Sequence, residues 1–137
     1  MAQSREDLAK WALKRAGEYL ASAHENLVEG RLFVAAEETF RAIETSLEAM
    51  LYKGGVQKIE YPGGGKPFTG RLALQFLARD ELVRKNAISR SDYKQYLSYA
   101  ADLHQAGYRF GLFEESRLRK ALAFAEGIFD KALALSG

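Results

Sequence analysis

The sequence predicts an all-α fold: an up-and-down four-helix bundle with an additional short helix, or about five helices in all. Apolar residues recur at intervals of three and four along most of the chain, which is the period of a helix with one buried face. Spacings typical of helix caps precede several of these segments, and no persuasive strand pattern or internal repeat is found. The length of 137 residues suits one domain, so we take residues 1–137 as a single helical domain.

The helix predicted between Gly30 and Lys53 is the centre of this bundle. Its apolar stripe consists of Ala36, Phe40, Ile43, Leu47, Met50 and Leu51. A polar ridge runs beside that stripe and consists of Glu37, Arg41, Glu44 and Glu48. We expect the stripe to face the core and the ridge to follow its edge. Opposite charges at this spacing also stabilise an exposed helix, which is the ordinary explanation of such a ridge.

The first helix is predicted to begin at Ser4, because Ser4 to Asp7 have the spacing of a capping box. Gly30 is expected to end it in the left-handed conformation. The second helix follows almost at once, so the two should form an antiparallel hairpin. The apolar stripe of the first helix is predicted to contain Leu8, Trp11, Ala12, Ala16, Tyr19, Leu20, Ala23 and Leu27.

Residues 54–68 form the one long loop in this prediction, since five glycines and two prolines interrupt any hydrophobic period. Its Gly-Gly-Gly-Lys run is not a phosphate loop, because Glu60 and Pro67 stand where that motif needs Gly and Ser or Thr. A third helix is predicted from Thr69 to about Asn86. Its inward residues should be Leu72, Phe76 and Leu77, with Val83 as a further candidate.

Ser89 to Asp92 repeat the capping-box spacing and predict the start of the fourth helix, which Gly107 should end. Its inner face is predicted to contain Tyr93, Tyr96, Leu97, Ala100 and Leu103. A short turn over 108–113 should lead to the fifth helix. The stripe of that helix is predicted to contain Leu118, Leu122, Ala125, Phe129 and Leu133.

The composition excludes several classes of site. The chain has no cysteine, so it cannot form a disulfide or a thiolate zinc site, and its two histidines make a poor metal site alone. We therefore predict no metal and no cofactor. The opening MAQSREDLAK lacks the apolar core of a signal peptide, and no apolar run approaches the ~20 residues of a membrane span. These features predict a soluble, cytoplasmic protein without membrane contact.

Two candidate catalytic features have ordinary explanations. Glu37 and Glu44 lie on one helix face, but Arg41 between them is expected to keep both ionised, so neither should act as a general acid near neutral pH. His24 lies at the margin of the first apolar stripe, where we expect a boundary histidine with a satisfied ring nitrogen. A paired-carboxylate hydrolase is therefore not predicted.

Two segments resemble the HEPN superfamily, the higher eukaryotes and prokaryotes nucleotide-binding helical bundles. ENLVEG at 25–30 and AAEETFRAIETSLEAMLYKGG at 35–55 are similar to the first two helices of that family. The residues that match its second-helix pattern are Ala36, Glu37, Arg41 and Glu44. AADLHQAGYRFGLFEESRLRKALAFAEGIF at 100–129 looks most like an archaeal paralogous-repeat branch with a Leu-His-x-x-Gly-aromatic segment. The matching residues are Leu103, His104, Gly107 and Tyr108.

The resemblance implies a bundle that commonly dimerises and often pairs with a minimal nucleotidyltransferase in toxin–antitoxin modules. Active members are metal-independent ribonucleases with an Arg-x4-6-His motif, and this sequence departs from it. The positions that would need arginine are Gly17, Glu18 and Tyr19 before His24, and Leu97, Ser98 and Tyr99 before His104. Ribonuclease activity is therefore not expected, unless a dimer partner supplies Arg109 or Arg41 across the interface.

The first hypothesis is a non-catalytic HEPN-like bundle that forms a homodimer and binds a partner protein or a nucleotide-like ligand. The alternatives are a metal-independent RNA endonuclease with a non-standard site around His104, and a purely structural interaction module. We expect a ligand to lie between the second and fourth helices, with Arg41 at its phosphate and Tyr108 for stacking or hydrogen bonding. The predicted ligand-binding residues are Glu37, Arg41, Glu44, His104 and Tyr108.

Overall fold

A computed structural model describes residues 4–108 and 114–136, apart from the side chains at positions 5, 104–108 and 136. The predicted turn over 108–113 therefore lies almost wholly outside the described residues. Within the described ranges the fold is a helical bundle, as predicted. Its helices are α1 (Arg5–Val28), α2 (Leu32–Lys53), α3 (Gly70–Leu77), α4 (Arg90–Tyr108) and α5 (Glu115–Ser136). None of these described helices is both long enough and apolar enough to cross a membrane.

The helix ends follow from local hydrogen bonds that the sequence encodes. The Ser4 hydroxyl accepts from the Asp7 amide at 3.1 Å and caps α1. Ser89 and Asp92 form a reciprocal capping box at the start of α4, with bonds of 2.9 and 3.1 Å. At the other end of α1, Gly30 has a φ of +80° and the Arg31 amide donates to the Asn26 carbonyl at 2.8 Å. This is a Schellman motif.

The same Schellman motif ends two further segments. Gly55 has a φ of +109°, and the Val56 amide donates to the Leu51 carbonyl at 3.0 Å after α2. Asn86 has a φ of +60°, and the Ala87 amide donates to the Leu82 carbonyl at 2.8 Å. The predicted ends at Gly30, Gly54–Gly55 and Asn86 are thereby confirmed.

The core is built around α2, which buries 14 of its 22 residues. Every member of its predicted apolar stripe is buried. Helices α1 and α5 pack along it, and α4 adds Tyr96, whose ring stacks on Phe40 with centroids 5.9 Å apart. The central position predicted for this helix is therefore confirmed.

Three residues that we placed on inner faces are exposed, so those predictions are wrong. Trp11 is 53% exposed on α1, Leu72 is 44% exposed on α3 and Leu133 is 44% exposed on α5. Each lies at the edge of a helical stripe, and only the placement of neighbouring helices decides whether an edge position is covered. On α3 the buried positions are Ala73 and Leu74 instead.

Residues 54–88 contain two features that the sequence analysis did not predict. A small antiparallel hairpin pairs β1 (Glu60–Tyr61) with β2 (Phe68–Thr69), although no strand was expected. After α3 the helix continues as a π-helical segment over Ala78–Val83. The rings of Phe68 and Phe76 pack 5.6 Å apart and hold the hairpin against α3, so these features depend on tertiary contacts.

Removal of a core side chain on α2 should test this architecture. Leu47 is completely buried, so we expect Leu47→Ala to lower the free energy of unfolding by about 2–5 kcal/mol through lost burial and a residual cavity. Val34→Ala is the matched control, because Val34 lies on the same helix and is exposed. We expect it to change stability by less than about 0.5 kcal/mol in urea titrations followed by circular dichroism. Similar losses for the two variants would contradict the central position of α2.

Candidate functional site

An open pocket of about 230 Å³ lies where α1, α2 and the start of α3 meet. We call it the arginine–glutamate pocket. It is lined by Arg15, Arg41, Glu44, Thr45, Glu48, Ile59, Gly70, Arg71 and Leu74. The helical period places Arg41, Glu44 and Glu48 along one edge of α2, while α1 and α3 each contribute one arginine. Five of its side chains therefore carry formal charges, three positive and two negative.

Arg71 and Glu44 form the ion pair of the pocket. The Arg71 Nε donates to Glu44 Oε2 at 3.1 Å, and its guanidinium carbon lies 5.3 Å from the centroid of the Phe40 ring. Gly70, with a φ of +65°, is the first residue of α3 and directly precedes this arginine. Glu44 is only 8% exposed, so its carboxylate has exchanged most of its water for this one partner.

Arg15 and Arg41 differ from Arg71, because their guanidinium groups form no ion pair with a described glutamate. The Arg15 guanidinium lies over the Trp11 ring, 4.4 Å from its centroid, and Arg41 is exposed. Neither guanidinium forms a hydrogen bond or an ion pair within 4.0 Å to the residues that the structure describes, although both charges act on Glu48 at longer range. Their N–H groups are consequently available to an anion that enters the pocket.

Burial raises the pKa of both carboxyls of the pocket. The pKa of Glu44 is raised because burial disfavours its charge, and the opposing charges of Arg71 and Arg41 do not cancel that effect. The pKa of Glu48 is raised first by burial and also by the nearby charge of Glu44, against Arg15 and Arg41. Arg41 lowers the pKa of Glu44, as expected, but the sequence analysis did not include the opposing and larger effect of burial.

Tyr96 stacks on Phe40, the ring over which the Arg71 guanidinium also lies. Its hydroxyl is buried and has no hydrogen-bond partner among the described residues. Burial raises the pKa of Tyr96, and the negative charge of Glu44 raises it further. The phenol therefore stays neutral, and ionised Glu44 lies close enough to act on it.

The structure brings together two of the five predicted ligand-binding residues. Arg41 and Glu44 line the arginine–glutamate pocket, whereas Glu37 is exposed outside it. His104 and Tyr108 lie on α4, but their side chains are outside the described residues, as is Arg109. The predicted roles of His104 and Tyr108, including the endonuclease alternative, stay predictions.

A small cavity of about 10 Å³ lies between α2, α4 and α5. Phe40, Tyr99 and Leu103 are among its lining residues. A gap of that size holds at most about one water molecule. The pocket that contains Arg41 and Glu44 is bounded by α1 and α3 instead.

Sequence reasoning missed Arg15 and Arg71 as residues of this site. Arg15 follows Trp11 by one helical turn, and Arg71 follows a glycine at the end of the long loop, so neither carries a distinctive motif. Glu48 belonged to the predicted ridge but not to the predicted site. Arg15, Glu48 and Arg71 form one site only because α1 and α3 pack on either side of that ridge.

The predictions for His24 and for a metal site do not involve the arginine–glutamate pocket. The His24 Nε2 pairs with Glu126 Oε1 of α5, which confirms a boundary histidine with a satisfied ring nitrogen. Among the described residues, no group of three or more His, Cys, Asp or Glu side chains could hold a metal ion.

The raised carboxyl pKa values predict a pH dependence of stability. Between the ordinary value of 4.5 and the raised folded-state pKa, folded Glu48 binds more protons than the unfolded chain does. The free energy of unfolding should therefore fall as pH rises through that folded pKa. The charged groups that act on Glu48 are Arg15, Arg41 and Glu44. We expect Glu48→Gln, which resembles the neutral form, to be more stable than the parent chain at about pH 8 and to lose that advantage near pH 5.

The measurement is urea unfolding followed by circular dichroism across this range. Glu37→Gln is the control, since Glu37 lies exposed on the same helix and outside the pocket. It should leave the pH dependence unchanged. If Glu48→Gln and Glu37→Gln have the same pH dependence, the Glu48 carboxyl is not linked to folding as stated.

Comparison with known proteins finds no protein-family model that matches this chain and no match among curated proteins.

Proposed function

We propose that this chain is a non-catalytic, HEPN-like helical bundle that binds a nucleotide-like, phosphate-bearing ligand in the arginine–glutamate pocket. The observation that carries the proposal is the placement of three arginines around one open pocket, two of which form no ion pair with the described residues. Guanidinium groups match phosphate oxygens with two parallel hydrogen bonds, so such a cluster is a typical phosphate site.

The two glutamates favour a ligand that carries more than a phosphate. With both carboxyls ionised, the five charged side chains sum to a net charge of +1, which attracts an anion only weakly. A nucleotide also presents hydroxyl and amino donors, and the Glu48 carboxylate has no hydrogen-bond partner of its own among the described residues. Arg15 covers part of the Trp11 ring, and Trp11 is still 53% exposed, so the uncovered part of the ring offers an aromatic surface on which a base can stack.

Arg41 is the sharpest position at which to test the proposal. Adenosine diphosphate should be titrated into the purified chain and followed by the fluorescence of Trp11, the single tryptophan, which Arg15 covers. We expect Arg41→Gln to raise the Kd by at least about tenfold, because one charge-assisted contact contributes about 1.5–3 kcal/mol. Arg119→Gln removes the same charge on α5 outside the pocket and should leave the Kd unchanged.

Pyrophosphate and adenosine test separately the binding of the phosphate part and of the nucleoside part of the proposed ligand. Pyrophosphate should compete with adenosine diphosphate, whereas adenosine alone should bind more weakly than the diphosphate does. The proposal fails if adenosine diphosphate changes neither the fluorescence nor the melting temperature. It also fails if Arg41→Gln and Arg119→Gln bind alike.

The homodimer and the nucleotidyltransferase partner are further proposals that derive from the family resemblance alone. Size-exclusion chromatography with light scattering tests the first of them. We expect twice the chain mass at high micromolar concentration, and a single species of the chain mass would contradict the dimer.

A further inference from the structure

A second pocket, of about 190 Å³, lies at the end of the bundle where α2 stops. Its walls come from the last turn of α2, the π-helical segment with the turn after it, and the end of α5. None of the residues that line the arginine–glutamate pocket lines this one. The volume is well above the ~10–15 Å³ that holds a single water, so a ligand of several carbon atoms fits.

The floor of this pocket is apolar. Met50, Leu51 and Leu82 are buried, each with at most 4% of its surface exposed. Leu135 lines the same pocket but keeps 45% of its surface in water. An apolar ligand would therefore bury a leucine that is exposed in the free protein, which is a favourable exchange.

The rim is basic. Lys53 and Lys85 both line the pocket, and the Lys85 Nζ pairs with Glu81 Oε2 at 2.7 Å. The Lys53 ammonium forms no hydrogen bond or ion pair with the residues that the structure describes. One lysine charge is therefore neutralised within the protein, while the other is available to a ligand.

The helix end beneath the rim restricts where a negative charge can lie. In the last turn of α2 the carbonyls of Met50, Leu51 and Tyr52 accept bonds from the amides that follow the helix. The negative end of the α2 dipole also opposes an anion at the floor. A negative group is thus favoured beside the Lys53 ammonium and disfavoured deeper in the pocket.

The π-helical segment in the wall of this pocket is a second indication of a functional site. Such segments are rare and occur frequently at functional sites, because they change which side chains share a face. Here the segment Ala78–Val83 contributes Glu81 and Leu82 to the pocket wall. A regular α-helix would present a different set of residues to this pocket.

We propose that this lysine-rimmed pocket binds an alkyl carboxylate, with its chain against Met50, Leu82 and Leu135 and its carboxylate paired with Lys53. The ligand should carry a carboxylate because the Lys53 ammonium lies at the rim, and it should carry an alkyl chain because the floor is apolar. The proposal is independent of the arginine–glutamate pocket, since the two sites share no lining residue.

Octanoate is the probe, and the Met50 methyl group is the reporter. The chain has two methionines, Met1 and Met50, so selective carbon-13 labelling of methionine methyls yields two signals, which Met50→Leu assigns. We expect octanoate to shift the Met50 signal saturably. Hexanoate should bind more weakly by about fourfold per missing methylene. Octylamine, which carries a positive head group, should not bind.

Two variants separate the head group from the chain. Lys53→Met should raise the Kd for octanoate about threefold to fivefold and leave that for 1-octanol unchanged, whereas Lys58→Met, an exposed lysine outside the pocket, should alter neither. Leu135→Ser, at an exposed position, should weaken the binding of both octanoate and 1-octanol. An unmoved Met50 signal, equal binding of octylamine, or equal effects of the two lysine variants would overturn the proposal.

Discussion

Burial of α2 along most of its length is the constraint on which the rest of the structure depends. A helix that is covered by neighbours on several sides cannot keep a polar ridge fully in water. Glu44 is accordingly drawn below the surface, to 8% exposure. A buried carboxylate is costly unless it is paired, and Arg71 supplies the pair at 3.1 Å. The charged pocket is therefore a consequence of placing this helix at the centre of the bundle.

The pairing of Glu44 is incomplete, and that is what distinguishes the pocket from an ordinary surface ion pair. The pKa of Glu44 remains raised by burial despite two nearby arginines, and the buried hydroxyl of Tyr96 has no described partner. A ligand anion would add negative charge where Arg15 and Arg41 have spare donors, and protonation of the carboxyls would increase the net positive charge. Ligand binding and proton uptake are thus expected to favour each other in this pocket.

Features that depend on hydrogen bonds between nearby residues could be predicted from the sequence. Features that depend on packing between distant segments could not. Ser4, Gly30, Gly55 and Ser89 mark helix ends through bonds that span only a few residues, so their positions were predicted correctly. Trp11 satisfies the period of a buried stripe and is nevertheless exposed, because burial at a stripe edge depends on the neighbouring helix. The α2 ridge was likewise visible, but Arg15 and Arg71 are 56 positions apart and meet there only through packing.

The same stretch of chain, residues 54–88, contributes to both pockets on α2. Ile59, Arg71 and Leu74 close the arginine–glutamate pocket, and Val56, Leu82 and Ala87 close the lysine-rimmed one. Leu74 and Leu82 are both buried, so this stretch is anchored on the bundle at two places. A bundle of four long helices alone would lack these walls along the C-terminal half of α2. The segment with the least regular sequence pattern is therefore the one that turns a helical core into two candidate binding sites.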